Sequence, residues 1–341
     1  MTIKLLRFPS LALFKILESM PSTDKVLISF CSSKMKRLMR MVKWYVSKMQ
    51  YVSNRFQTHI FLGSPIFDYG GLFVIQEVNE FTENSRTYRE EEFGLQYGLS
   101  ADTIEGKTAT VVQVLKREQS SSKWVFHDLI IDLFRNPPVI EYEVDSDCDL
   151  SNIYINETVR NMRLSGGDAN ASYAERYFST AMDLHGAVVT PLIRPQLLID
   201  SKLTTAKYLY LEHAFYNTWT LALHFNGHRA VFNYSIFDEQ IVAGIINKWK
   251  CNEGFQNLQT LEIYSSHIIP DFHINEIGNH FGARPFDGLR RPENFKEEHW
   301  VMDVHFKPME CANFLDIVRE SDGKVASFLL TTSMFKFCVW N

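Results

Sequence analysis

Apolar residues recur at helical spacing from the first turn of the chain. Leu13, Ile16, Leu17 and Met20 fall at i, i+3, i+4 and i+7, one stripe of a helix. Ser10 is a candidate cap, and Pro21 ends the helix because it disfavours helical backbone before it. Ser22 or Thr23 can open a second helix, with Asp24 in its first turn favoured by the dipole and Val26, Leu27 and Phe30 on its apolar side. Ser32 and Ser33 offer a third start, followed by Met35, Leu38, Met39, Val42 and Val46, with Lys36, Arg37, Arg40 and Lys43 mainly on the other face. A unit of roughly forty residues is too small to bury so many apolar side chains within itself. The surplus faces either the rest of the chain or another protein.

The pattern then changes period. "GGLFVIQEV", "KTATVVQVLKRE" and "SKWVFHDLIIDLF" are rich in Val, Ile, Phe and Thr and are separated by Gly, Asn and Ser clusters. They predict antiparallel strands joined by hairpins or loops. "RNPP" at 135–138 is a boundary signal. The chain therefore divides into a helical module at 1–48, an antiparallel β region at 49–138 packing on the body, and an α/β body at 139–341.

Within the body one apolar pattern appears three times: Leu150, Ile153, Ile155; Ala206, Leu209, Leu211; Leu258, Leu261, Ile263. Helical candidates lie at 171–187 and at 235–250, the latter with Phe237, Ile241, Ile245 and Trp249 spaced by four. Strand–helix–strand connections of this length suit parallel strands with right-handed crossovers. The pattern resembles leucine-rich repeats, although its period is about twice the usual 20–29 residues. Three unrelated strands of one α/β sheet fit it as well. The expected class is α+β: a small three-helix module followed by a mixed α/β domain with irregular leucine-rich-repeat-like β-α units.

Composition narrows the function. With 45% hydrophobic and 22% charged residues, the chain is of the globular rather than the disordered kind. Residues 1–60 hold eleven Lys and Arg against two acids, a net of +9 in a chain of net −5. A basic head suits an acidic partner, and an acidic body argues against nucleic-acid binding by the whole protein. The cysteines, at 31, 148, 251, 311 and 338, form no CxxC pair, so neither a structural zinc nor a disulfide framework is expected. Reduced thiols and the absence of a secretory pattern fit a cytoplasmic or nuclear setting. No apolar run is long enough to span a membrane, and the glycosylation triplets at Asn156, Asn170 and Asn233 read as chance matches.

Catalytic patterns are missing: no phosphate loop, dinucleotide fingerprint, nucleophile elbow or metalloprotease helix occurs. The pairs Ser22/Lys25 and Ser120/Lys123 match only a bare S-x-x-K. On a single strand, His299, Asp303 and His305 would share one face; a metal site is conceivable there, but two His and one Asp are more commonly a solvated or hydrogen-bonded strand face. The loop 282–293, with Arg284, Arg290 and Arg291, could hold an acidic peptide or could be a surface loop tied down by Phe286. No cofactor or metal is expected, and an enzyme with an unrecognised site stands as the alternative from another class.

Two resemblances sharpen this picture. Residues 8–39 resemble an F-box: Phe8-Pro9, Leu13, Ile16-Leu17, Met20-Pro21, Asp24, Cys31-Ser32 and Leu38-Met39 follow that family's order without a gap, with departures at Phe8, Ser33 and Met35. The resemblance implies an acidic Skp-type adaptor as partner and, through it, a cullin of a ubiquitin ligase. Phe8, Pro9, Leu11, Leu13, Ile16 and Leu17 would supply the adaptor-facing surface. Residues 237–265, with Trp249, Asn252, Gly254, Leu258, Leu261 and Ile263, and residues 316–340, with Asp322-Gly323, resemble the F-box-associated type 2 domain of nematode F-box proteins. Together they imply a non-catalytic adaptor whose body captures a substrate protein through surface loops such as 63–71, 165–170 and 282–293. An interaction protein outside ubiquitin ligation, with the helices as a cap, is the other reading.

Overall fold

The computed structural model describes residues 9–30, 32–42, 44, 46–63, 71–83, 85–89, 96–104, 107–115, 127–134, 136, 138–150, 153, 158–265, 267 and 274–340. Phe8, Cys31, Lys43, loop residues 64–70, Ser120 to Lys123, Ile155 and Asn156 lie outside them. The chain forms two compact units: Met1–Glu143 with Cys148–Tyr154, and Val144–Asp147 with Ile155–Asn341.

The first unit opens with α1 (Ser10–Ser19), α2 (Ser22–Ser29) and α3 (Ser33–Met41). The prolines set the first two starts. Pro9 and Pro21 occupy the N-cap positions, so Ser10 and Ser22 are first residues of helices rather than caps. Pro suits this place because its fixed φ leads into a helix and its missing N–H costs nothing there. Ser32 does cap α3, its Oγ accepting from the Met35 amide at 3.2 Å.

A sheet follows, ordered β7-β1-β2-β3-β6-β5-β4. Its strands are β1 (Lys48–Ser53), β2 (Gln57–Gly63), β3 (Gly71–Val78), β4 (Arg86–Arg89), β5 (Gln96–Ile104), β6 (Lys107–Leu115) and β7 (Val139–Asp145). Strict alternation buries Met49, Tyr51, Thr58, Ile60 and Leu62, and Asn54 closes the β1–β2 hairpin by accepting from the Phe56 and Gln57 amides.

Two expectations are corrected in this unit. β3 pairs with β6 in parallel, because β6 folds back along β5 as a local hairpin and so runs with β3. Residues 127–131 are helical, not a strand. Leu129, Ile130, Leu133 and Phe134 are buried at spacings of one and four, a helical period hidden in a β-rich composition. The helices and the β strands up to Glu143 fall in one compact unit. Phe30 meets Tyr97 edge-on at 6.0 Å, Trp44 meets Phe134 at 5.0 Å, and Lys36 and Arg40 both pair with Asp132.

The second unit is a sheet whose middle is a parallel ladder. Strands at Val159–Ser165, Gly186–Val189, Tyr208–Leu211, Arg229–Ser235 and Thr260–Ser265 pair in that order, aligning Met162, Ala187, Leu209, Ala230 and Leu261. The steps are 25, 22, 21 and 31 residues, close to a leucine-rich repeat period. Helical segments at Ala171–Phe178, Lys202–Thr205, Asn217–His224 and Glu239–Lys250 connect them. The doubled period expected from sequence is therefore corrected. It skipped the Arg229–Ser235 strand between its second and third copies, and its first copy falls largely outside the described residues. The helix expected over 171–187 stops at Phe178, because the next strand already begins at Gly186.

Helix Glu239–Lys250 buries Ile241, Val242, Ile245, Ile246 and Trp249, and Asp238 caps it through the Ile241 amide at 3.0 Å. Antiparallel strands Met334–Val339, Val325–Leu330 and Leu315–Val318 extend the sheet from the Thr260 strand. Asp322-Gly323 makes the turn between the last two in space, with Gly323 at φ +73°. The Arg319 fork on Asp322 draws its carboxyl down to about 2. The two segments that carry the second resemblance meet here: Leu261 pairs with Phe337, and Trp249 lies between Phe337 and Arg319.

Candidate protein-binding surfaces

On the helical module the six residues singled out from sequence do not share one face. Leu13 and Leu17 are buried, Ile16 is half-buried, and Pro9 and Leu11 are exposed; Phe8 lies outside the described residues. Leu11 keeps 77% of its surface, which leaves an apolar patch at the amino end of α1. Leu13 and Leu17 hold the module together instead of facing outward, as an i, i+4 pair on the inner stripe of a helix must. Met41 is also exposed, at the far end of α3. The basic face is partly neutralised: Lys36 and Arg40 pair with Asp132, whereas Lys34 and Arg37 stay exposed. Lys25 of the S-x-x-K pair is buried and donates to the Glu18 carbonyl at 3.0 Å, with burial lowering its pKa. A structural role accounts for it.

In the second unit the ladder turns Leu209, Leu211, Phe232 and Ile263 inward, and alternation turns Arg163, Val188, Tyr210, Val231 and Glu262 to the opposite face. The hairpin His299–Val301/Val304–Phe306 covers part of that face. Val301, Met302 and Phe306 form a cluster with Val188 and Tyr208, and Arg163 pairs with Asp303. Gly186 permits the approach: a Cβ there would stand 2.3 Å from Cγ1 of Val301.

Arg229 anchors the same hairpin. Its guanidinium donates to the carbonyls of Glu297, Phe306 and Lys307 and to Thr260 Oγ1, and it lies over the rings of Phe295 and Phe306. The opposite face also carries two tyrosine–glutamate pairs. Tyr210 donates to Glu212 and accepts from Asn233, and Tyr264 donates to Glu262, which also pairs with Lys336. Burial and the glutamate partner push the Tyr210 hydroxyl up to about 12 and the Tyr264 hydroxyl higher. Neither tyrosine is therefore an acid–base group near neutrality. This platform was missed from sequence, although the alternation in "YLYL" is its signal.

The histidine pattern comes apart. His299 and His305 lie on opposite strands of the hairpin, with Asp303 in its turn. His299 stacks on Tyr208 at 3.9 Å, His305 stacks on Trp300 and pairs with Glu298, and Asp303 goes to Arg163. Among the described residues no group of three or more His, Cys, Asp or Glu is arranged to hold a metal ion.

His299 joins His185 and His228 around Tyr208 instead. Burial lowers all three imidazole pKa values, followed by Lys207 in each case; His299 and Arg160 add to this at His185, and Arg229 does so at His299. Asp183 beside His185 and Glu297 beside His228 oppose the shift without reversing it. The fold thus favours the neutral rings. This stability is present above the ordinary imidazole value of about 6.5 and is lost as pH falls through the lowered values. The melting temperature should drop between about pH 7.5 and pH 5.5, and by less in His299→Gln. Equal melting temperatures across that range would refute it.

The loop 282–293 is held from within. Arg291 is buried against Phe286 and Trp340, and donates to Asp316 at 2.9 Å and to the Cys311 carbonyl at 2.8 Å. Only Arg284 and Arg290 of its three arginines are exposed.

The family model for the F-box domain matches residues 5–47. The chain carries an F-box domain there, and α1–α3 coincide with it. F-box domains bind Skp-type adaptors, and proteins that carry them are typically non-catalytic adaptors. Searches of curated proteins and of solved structures returned no match for this chain.

Proposed function

We propose that the protein is the substrate-recognition adaptor of a Skp-cullin-F-box ubiquitin ligase. The helical module docks the Skp adaptor, and through it a cullin; the second unit captures a substrate protein. The observation that carries this is the F-box match over three helices whose leading turn exposes Pro9 and Leu11. The two segments that resemble the nematode F-box-associated type 2 domain, packed together through Trp249 and Phe337, support the same reading of the second unit. Positioning is then the whole mechanism. The adaptor raises the effective concentration of a substrate lysine near a charged conjugating enzyme, and its partners supply the chemistry. Free cysteines, three of the four described ones buried, support a cytoplasmic or nuclear setting. Full-length protein expressed with a Skp-type adaptor should co-purify with it; a clean pull-down without the adaptor sinks the proposal.

A second reading has one observation in its favour. Leu13 and Leu17 are buried, and α2 and α3 pack within the first unit, as in a helical cap on an interaction protein outside ubiquitin ligation. The same pull-down separates the two.

A further inference from the structure

We propose that an apolar cavity in the second unit seats the captured protein, and that it takes a segment in which a bulky apolar side chain lies beside a carboxylate. The inference rests on the adaptor reading and names the chemistry of what the adaptor holds.

The cavity measures about 450 Å³ and is lined by Leu192, Ile193, Arg194, Pro195, Phe215 and Tyr216, among others. Strand Gly186–Val189 leads into Leu192, and strand Tyr208–Leu211 leads into Phe215. The cavity therefore lies beyond the carboxyl ends of two neighbouring parallel strands, where open α/β sheets bind ligands. Its volume falls within the roughly 300–1,000 Å³ of ligand pockets.

The walls are fixed before anything binds. The buried Asn217 amide accepts from Leu197 N at 2.8 Å and donates to the Ile193 carbonyl at 3.2 Å. Gln196 donates to the Tyr216 carbonyl and to Thr220 Oγ1. Phe215 sits at φ +40°, held by its amide on the Tyr234 carbonyl at 3.1 Å. Left-handed backbone at a large side chain persists only where its surroundings enforce it, and it concentrates at binding sites. A preformed wall needs little ordering on binding.

Two observations choose the occupant. Tyr216 of the lining is 66% exposed, and Leu198 and Ile199, two and three positions along the chain from lining Gln196, are each 65% exposed, more apolar surface than a small ligand would cover. Arg194 is the one charged lining residue, is exposed, and has no ion-pair partner among the described residues. A segment that brought a cation, or nothing, to Arg194 would strip water from it without replacement; a carboxylate supplies the partner.

The test uses two fluorescein-labelled peptides of equal length, one alternating Leu and Glu, the other Leu and Lys, with full-length protein bound to its Skp-type adaptor. The Leu–Glu peptide should bind about tenfold more tightly, Arg194→Glu should invert the preference, and Tyr216→Ala should weaken binding about tenfold. Absence of binding, or binding indifferent to Arg194→Glu and Tyr216→Ala, overturns the proposal. Dodecanoate binding as tightly as the peptide overturns it in favour of a small amphiphile. Adaptor co-purification of each variant is read in parallel. If it is retained while peptide binding fails, the cavity assignment alone is lost; if it is absent, the adaptor reading is lost.

Discussion

Leu11→Asp should lower affinity for a Skp-type adaptor by at least about 30-fold, because an anchor residue at the centre of an apolar interface is worth roughly 2 kcal/mol or more. Leu11 keeps 77% of its surface in the chain itself, so the change breaks little internal packing. Folding stability should move by no more than about 0.5 kcal/mol, as for other surface positions. Pro9→Asp should act in the same direction, and Asp is a good N-cap, so α1 should keep its helix. Leu17→Asp is the instructive contrast: Leu17 is fully buried, and the variant should lose binding because the module unfolds. Circular dichroism beside titration calorimetry separates the cases. A folded Leu11→Asp protein that binds the adaptor with unchanged affinity would remove this patch from the interface.

Arg229→Met should destabilise the second unit by about 3 kcal/mol or more, since each buried carbonyl left without a donor costs roughly 1–3 kcal/mol. The side chain is 1% exposed and satisfies three carbonyls that belong to the 297–307 segment. Met can fill the space between Phe295 and Phe306 but leaves those carbonyls buried without donors. Arg229→Lys should recover little, because one ammonium cannot reproduce a planar fork that reaches Glu297, Phe306 and Lys307 together. Urea denaturation gives the loss. Limited proteolysis should place the first new cuts between residues 297 and 307, since that segment loses its anchor. A Met variant as stable as the parent would mean that water or a shifted backbone meets those carbonyls.

The helical module was largely legible in the sequence. Stripes at spacings of three and four, with Pro21 and Ser32 between them, located three helix starts to within a residue or two, although the third helix, expected to carry Val42 and Val46, ends at Met41. The helix expected over 235–250 starts four residues later, at Glu239, after the Asp238 cap; its Ile241, Ile245 and Trp249 are buried as their spacing requires, as is Phe237 before the cap. Short strands between parallel neighbours were harder. Arg229–Ser235 reads "RAVFNYS", in which buried Arg229 and half-exposed Val231 spoil the alternation, so the strand was passed over and the repeat appeared doubled. Strand Gly186–Val189 was absorbed into a helix because its four residues are buried on both faces and show no period.

Sequence alone determined the units whose order is local: three helices ending at prolines or capped by serine, an amphipathic helix ending near Trp249, a turn at Asp322-Gly323, and the F-box domain at residues 5–47. These depend on contacts within a few residues, where spacing and backbone preference suffice. Tertiary structure decided which apolar residues of α1 are hidden, which strand lies beside which, and what Arg229, His299 and Arg291 do. Those outcomes depend on partners 20 or more positions away, such as Cys311 for Arg291, Lys307 for Arg229 and Tyr208 for His299, and a one-dimensional pattern carries no record of them. The inward turn of Leu13 and Leu17 and the outward turn of Leu11 follow from which side of one helix met the rest of its unit, a choice made by packing.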